Sequence, residues 1–451
     1  MHQTTTRHAA TAVAFIATLV LAPAARSSPA APPTKVAPPT KVAPVPDTLH
    51  GVEIVDDYRW LAALEKDAPE GEAWTTAQND HTRATLESLP CRDALAKALE
   101  PWMTLGAVGT PVITDAGYYY TERSGRQNHA VLRHRAKGEA TGRAILDVNE
   151  LDEKGLTSLD WWRPNERGDL VAFGTSRQGS EMSELHIFSL ELGTWLADEI
   201  VGKVSFSGWM PDGRSFFYSA LRDPKDPYSR ETRFHIVGTS PRFDRVVVRQ
   251  TDPSKIPSAG PSTDGKWLIG GLSRGWQAND LWVCDLAAWR QSGELEKTVI
   301  AEDLDGRFDP IDVIDGTLYM TTTFGSPRGS IVAVDLAKPA REHWKTVLPE
   351  RADMVLEGVS RAQGCFVTSW SKDVCSRFEV MDFTGKVLHE IPLPGLGTAS
   401  ISTDHKRTEA FVTYTSYATP RTIFQTDVMH PKFLEWARTE IPGDLSAYTV
   451  E

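Results

Sequence analysis

One segment of this sequence has the spacing of a serine nucleophile. Gly271-Leu272-Ser273-Arg274-Gly275 matches G-x-S-x-G, a motif in which a strand turns sharply into a helix and lifts the serine oxygen to the top of a parallel sheet. There a histidine and a carboxylate activate it for acyl transfer. The residues before Ser273 read as a strand, but Trp276 to Leu286 read as another strand, with no strand–helix alternation around them. The expectation is a β-hairpin that carries no nucleophile. Asp303, Asp305, Asp309, Asp312 and Asp315 crowd together as in a calcium loop. They lack the D-x-D-x-D-G order and the closing glutamate, and Pro310 interrupts them, so they read as a solvated loop between repeats. No H-E-x-x-H pair and no G-x-x-x-x-G-K-[ST] loop occurs. Cys91, Cys284, Cys365 and Cys375 are too few and too scattered for a disulfide scaffold or a zinc ribbon. A turn near Lys372–Asp373 would leave Cys365 and Cys375 out of register, so free thiols are expected. The residues therefore assign no catalytic group, no cofactor and no metal ligand, and they leave the substrate-binding residues undetermined.

The chain has 451 residues, 41% hydrophobic and 24% charged, an ordinary globular composition that excludes collagen-like, wholly disordered and multi-span membrane classes. A net charge of −12 argues against nucleic acid as a partner, because phosphate binding calls for a basic stripe. Arg7 and His8 precede an apolar run from Ala9 to Ala22, then Pro23, Ala24 and Ala25. This is the pattern of a secretory signal over residues 1–25. An uncleaved anchor is the alternative, although the run is short for a bilayer. The expected location is exported, periplasmic or extracellular, with no membrane span after signal cleavage. Residues 26–46 repeat Pro-Pro-Thr-Lys-Val-Ala in tandem and should form an extended spacer, with folding beginning near Asp47. Residues 47–103 read as a helical segment, divided into two helices by Pro69 and Gly71 and ended by Pro90.

Beyond Leu105 the pattern changes to short strands with a period. A turn residue followed by an apolar strand occurs at Gly117, Gly168, Gly213, Gly265, Gly316 and Gly364, and without the glycine at Glu409. The spacing, about 45 to 52 residues, is that of four-stranded propeller blades. Glycine recurs because each turn, ending one outer strand and beginning the next, requires a positive φ. A second beat is an apolar strand ending in Asp, at Asp285, Asp335 and Asp382. Seven units fit residues 104–441, which predicts an all-β fold: a seven-bladed β-propeller with a short N-terminal helical segment. A pair of β-sandwiches is the alternative.

Several stretches also resemble a known family. Gly51-Val52-Glu53-Ile54-Val55-Asp56-Asp57-Tyr58-Arg59-Trp60-Leu61, with Trp74-Thr75-Thr76-Ala77-Gln78-Asn79, resembles the N-terminal signature of the prolyl oligopeptidase family of serine peptidases. So do Gly208-Trp209-Met210-Pro211-Asp212-Gly213, His235-Ile236-Val237-Gly238-Thr239, Asn279-Asp280-Leu281-Trp282-Val283-Cys284-Asp285-Leu286, Leu348-Pro349-Glu350 and Phe411-Val412-Thr413-Tyr414-Thr415-Ser416-Tyr417, in the family's order. Asp57 replaces the usual proline before Tyr-Arg-Trp, and Ala62-Ala63-Leu64 replaces the usual Glu-Asp.

The resemblance implies a propeller that restricts access to an α/β-hydrolase domain carrying Ser, Asp and His, so that short peptides reach the triad. The elbow, aspartate and histidine of that domain have no counterparts here. Residues 442–451 read as a truncated link toward it. The resemblance thus implies the substrate-gating portion of a serine endopeptidase, inactive alone. The alternatives are one half of a two-chain peptidase that cleaves after proline, or a stand-alone extracytoplasmic binding propeller. Short proline-containing peptides and a separate α/β-hydrolase domain are the partners to expect. Either of the first two readings predicts exposed apolar area on the helices of 57–103 and on one propeller face.

Overall fold

The computed structural model describes residues 36–62, 69–249, 252–445 and 447–451. The expected signal and the first part of the spacer lie outside the described residues. The chain divides into two compact units between Leu99 and Glu100, and among the described residues no helix is long and apolar enough to cross a membrane.

In the first unit Val45–Leu49 pairs with Val52–Asp56, a hairpin turned by His50 and Gly51, both at positive φ, as a two-residue turn requires. Asp56 accepts from the Tyr58 N–H and pairs with Arg59, which explains the Asp-Asp-Tyr-Arg order. A 3-10 turn covers Arg59–Ala62. Helix α1 spans Pro69–Glu87 and helix α2 spans Arg92–Met103. Pro69 opens α1, since its fixed φ suits the first helical position and its missing N–H is unneeded there, and Gly71 lies inside α1 instead of between two helices. Pro90 separates α1 from α2. The spacer also needs correction. Trp74 Nε1 donates to Thr40 Oγ1 (3.0 Å), Trp60 Nε1 to the Lys41 carbonyl (2.9 Å) and Gln78 Nε2 to the Pro38 carbonyl (2.9 Å). Order thus begins by Pro38, because indole and amide donors find the carbonyls and hydroxyl of the second Pro-Pro-Thr-Lys repeat.

The second unit is a seven-bladed propeller of antiparallel sheets, covering residues 107–146, 157–200, 205–249, 255–301, 308–348, 355–391 and 398–438. Each has four strands in chain order, except that the first strand of sheet one is split into Ala107–Val108 and Val112–Thr114. The first strands of neighbouring sheets touch, as Ser205–Trp209 does Lys255–Pro261 and Thr398–Thr403 does Val112–Thr114, so these strands surround the axis. The recurring glycine turn therefore joins the axial strand to the second strand, not two outer strands. All six of its glycines have φ between 66° and 129°. The second beat also has a local cause: Asp335 and Asp382 accept the backbone N–H two residues on, forming Asx turns, and Asp285 accepts the Ala288 N–H as the N-cap of a short helix, each at the start of the connection to the fourth strand.

One regularity has no residue signature. In all seven sheets the ladder between third and fourth strands shifts register, at Leu132/Arg133, His186/Phe188, Thr232/Arg233, Leu281/Trp282, Ile331/Val332, Val380/Met381 and Ile423/Phe424. Bulges increase local twist, and a blade must twist strongly between axis and rim.

Sheet one meets sheet seven through side chains, with no exchanged strand. Trp436 packs edge-on against Tyr118 and Phe411 (5.1 and 4.8 Å), and the Arg135 guanidinium lies 3.0 Å from the Trp436 ring centre. The Tyr118 hydroxyl donates to Glu409 at 2.6 Å; burial, then that carboxylate, pushes its pKa up to about 12. Trp436→Ala should cost about 3 kcal/mol, the low end for a large aromatic because the ring is only half-buried, and Tyr118→Phe about 1.5 kcal/mol. Urea denaturation should show lower midpoints at an unchanged slope.

Candidate functional site

Ser273 lies in the second strand of sheet four, Trp267–Arg274, opposite Ile256 on one side and Asn279 on the other. The third strand, Ala278–Asp285, follows directly, and only then a seven-residue helix α3, Leu286–Ser292. The two glycines of the motif have structural causes. A Cβ on Gly271 would collide with the Asp280 carbonyl, and Gly275 turns the hairpin at φ 67°. Among the described residues no imidazole bonds to a serine, threonine or cysteine.

The five aspartates are likewise dispersed in role. Asp303 donates its N–H to Asp280, Asp305 is exposed, Asp309 pairs with Arg307, Asp312 is buried against Arg361, and Asp315 sits at positive φ in the turn before Gly316. Among the described residues no three His, Cys, Asp or Glu side chains converge to hold a metal. The cysteines are all free; Cys375 stands opposite Lys372 in the ladder, out of reach of Cys365.

One imidazole is held by carboxylates. His235, in the third strand of sheet three, contacts Asp198 of sheet two through Nε2 (2.9 Å) and Asp244 through Nδ1 (2.8 Å), all three side chains being buried. Asp198 also accepts the Gly238 N–H, and Asp244 the Tyr218 hydroxyl. This accounts for the His-Ile-Val-Gly-Thr segment. Burial opposes the charge on His235, but the two carboxylates outweigh it and raise its pKa to about 9. The charged ring donates from both nitrogens, which leaves no lone pair to accept a proton from a nucleophile. The cluster clamps sheet two to sheet three.

The axial strands of sheets three, four and five, Ser205–Trp209, Lys255–Pro261 and Phe308–Ile314, line a cavity of about 500 Å³, within the usual range for ligand pockets. It runs along the strands, from Ser205 and Ile256 at their starts to Pro261 and Asp312 near their ends. Its wall mixes Ile256, Pro257 and Ile311 with Ser207, Ser258 and Arg230. Asp312 is neutralised by Arg361 and further held by the N–H and hydroxyl of Thr263 (3.1 and 2.6 Å). Arg230 makes one long contact, 3.4 Å to Ser205 Oγ, and burial alone lowers its pKa. Of this wall the sequence singles out only Pro310 and Asp312, and reads them as part of a solvated loop. The wall offers hydrogen-bond donors, acceptors and apolar surface side by side.

The geometry defines a propeller with an axial binding cavity. The chain belongs to the prolyl oligopeptidase family: the model of the "Prolyl oligopeptidase, N-terminal beta-propeller domain" matches residues 38–437. It is 28% identical over 393 residues to a prolyl endopeptidase of Elizabethkingia meningoseptica, covering 85% of this chain and 54% of that protein. It is 24% identical to prolyl oligopeptidase A of Amanita bisporigera, covering 87% of this chain and 56% of that protein. A solved prolyl endopeptidase, from a study of inter-domain dynamics in catalysis and specificity, superposes with a TM-score of 0.84 at 32% identity, over 92% of this chain and 61% of its own. Prolyl oligopeptidase B of Galerina marginata, solved with a 35-residue substrate, shares the fold with a TM-score of 0.81 at 23% identity, over 90% and 60%. The chain spans about half the length of the curated relatives it matches.

A pH prediction follows from the buried cluster. The folded pKa of His235 lies above its ordinary 6.5, so its contribution, on the order of 3 kcal/mol, is complete below pH 6.5 and is lost as pH rises through about 9. Denaturation midpoints measured across that window should fall, and His235→Gln should flatten the slope.

Proposed function

We propose that this chain is the substrate-gating propeller of a prolyl oligopeptidase-like serine endopeptidase, exported from the cytoplasm and without peptidase activity by itself. The axial cavity carries this reading. It is sized and lined for a short peptide, while no serine hydroxyl among the described residues bonds to an imidazole; the serines that meet a carboxylate, such as Ser215 at Asp212 and Ser262 at Asp264, sit in turns. Acyl transfer needs nucleophile, base and oxyanion donors organised together, and in this family they belong to the hydrolase part that the relatives' extra length contains.

A second reading is favoured by exposed apolar side chains: a separately encoded α/β-hydrolase domain docks on this chain and restores cleavage after proline. Helix α2 presents Leu95, Leu99, Trp102 and Met103 to solvent, none of its residues being buried. The hairpins between second and third strands of sheets four, six and seven each expose one apolar side chain at the tip, Trp276 (92%), Val374 (91%) and Tyr417 (99%).

The test is hydrolysis of a Gly-Pro or Ala-Pro chromogenic peptide by the purified chain. No release above contaminant controls is expected alone, and activity on mixing with a hydrolase domain would establish the two-chain form. Turnover by the isolated chain would refute the gating reading. If no peptide binds and a protein partner is captured instead, the chain is a stand-alone binding propeller.

A further inference from the structure

The structure assigns to Arg230 the role of a carboxylate anchor in the axial cavity, which makes this propeller selective for peptides that bring a negative charge there. The inference rests on the peptide reading of the cavity and sharpens it to a substrate class.

Arg230 begins the third strand of sheet three, Arg230–Ile236, directly across from Leu221. It lines the cavity at the end marked by Ser205 and Ile256. Other part-buried arginines of the propeller are matched. Arg233 and Arg249 share Glu231, Arg274 pairs with Asp280, Arg351 with Glu379, Arg361 with Asp312, and Arg407 with Asp115 and Asp404. Arg135 lies on the Trp436 ring. Arg230 has no carboxylate partner and no aromatic face among the described residues, only the long contact to Ser205 Oγ. A guanidinium drawn partly out of water without a counter-ion is unfavourable until an anion supplies the missing partner. The guanidinium fork fits a planar carboxylate through two parallel N–H···O bonds.

The other charge on the wall does not compete. Asp312 is bound by Arg361 and Thr263 near the opposite end of the axial strands. The cavity therefore has one free charge, positive, at one end. Ser205, whose hydroxyl already meets the Arg230 side chain, is placed to donate to the same carboxylate. Such a carboxylate comes either from the C-terminus of a short peptide or from an Asp or Glu side chain.

Calorimetric titration of the full chain with three N-acetylated peptides separates these sources: Ala-Ala-Pro-Ala with a free C-terminus, the same peptide amidated, and an amidated Ala-Glu-Pro-Ala. The wild-type chain should bind the free acid or the Glu peptide about tenfold more tightly than the neutral amide, as a charge-assisted pair implies. Whichever anionic peptide is favoured identifies the source. Arg230→Gln should bring that ratio close to one, and Arg230→Lys should leave it in between. Unchanged circular dichroism and melting would show both variants folded. An equal preference in wild type and Arg230→Gln, or no preference in wild type while all three peptides bind, overturns the anchor and leaves the peptide cavity standing. Binding of none of the three removes the cavity reading and the anchor with it.

Discussion

The propeller depends on a ring that must close without a covalent clasp. Six of the seven sheet interfaces join sheets that are consecutive in the chain; the seventh brings together residues 291 apart, such as Tyr118 and Glu409. Closing so long a loop costs entropy, and the contacts at the seam are correspondingly dense. Tyr118, Phe411 and Trp436 stack edge to face, Arg135 covers the indole, and Thr110 and Thr413 share a hydrogen bond of 2.7 Å. A rim of polar cross-links between axial-strand turns distributes the closure. Asp115 accepts from Arg407, Asn165 donates to the Gly213 carbonyl, Thr263 donates to Asp312, and Thr403 donates to the Arg361 carbonyl. The axial cavity has walls only because this rim and seam hold.

What could be read from sequence follows the range of the physics involved. The glycine beat was legible because a positive φ is a demand on one residue, and the Asp beat because an Asx turn spans a few. Seven units and a propeller followed. The bulges were not legible, since Leu132, Thr232 and Ile331 share no residue type that announces a register shift. The seam was not legible either, because nothing local to Trp436 says that Arg135 will lie over it. Gly71 was misplaced for a related reason: glycine weakens a helix interior without forbidding it, and only the surrounding fold decides. The family resemblance picked out His235 and Gly238, but Asp198, which binds both, lies 37 residues before His235 in an unremarkable strand.

The cavity was the least legible part. Its lining comes from three axial strands together with Ser219 and Arg230 of the strands behind them, and each strand alone reads as ordinary β-structure. Arg230 is distinguished by lacking a carboxylate partner among the described residues, a property of the folded surroundings and not of the residue. Ser273 shows the converse: a motif complete in residue types and empty in chemistry, because each glycine answers a packing or turn requirement of the hairpin. Motif spacing describes what a backbone could present. Only the strand ladder decides what it does present.

Charge acts in this molecule at two ranges of opposite sign. The whole chain carries −12, which repels an acidic peptide beyond contact, but salt confines that repulsion to about 8 Å at physiological strength. Inside the ring the wall carboxylate Asp312 is neutralised by Arg361, and the free charge is the cation of Arg230. Charges on the concave wall of the ring are less screened than those on its outer surface. An anionic peptide is therefore not steered toward the propeller; it is retained once it has entered. Retention of this kind discriminates among molecules that already reach the axial strands, and it leaves the outer surface indifferent to the rest.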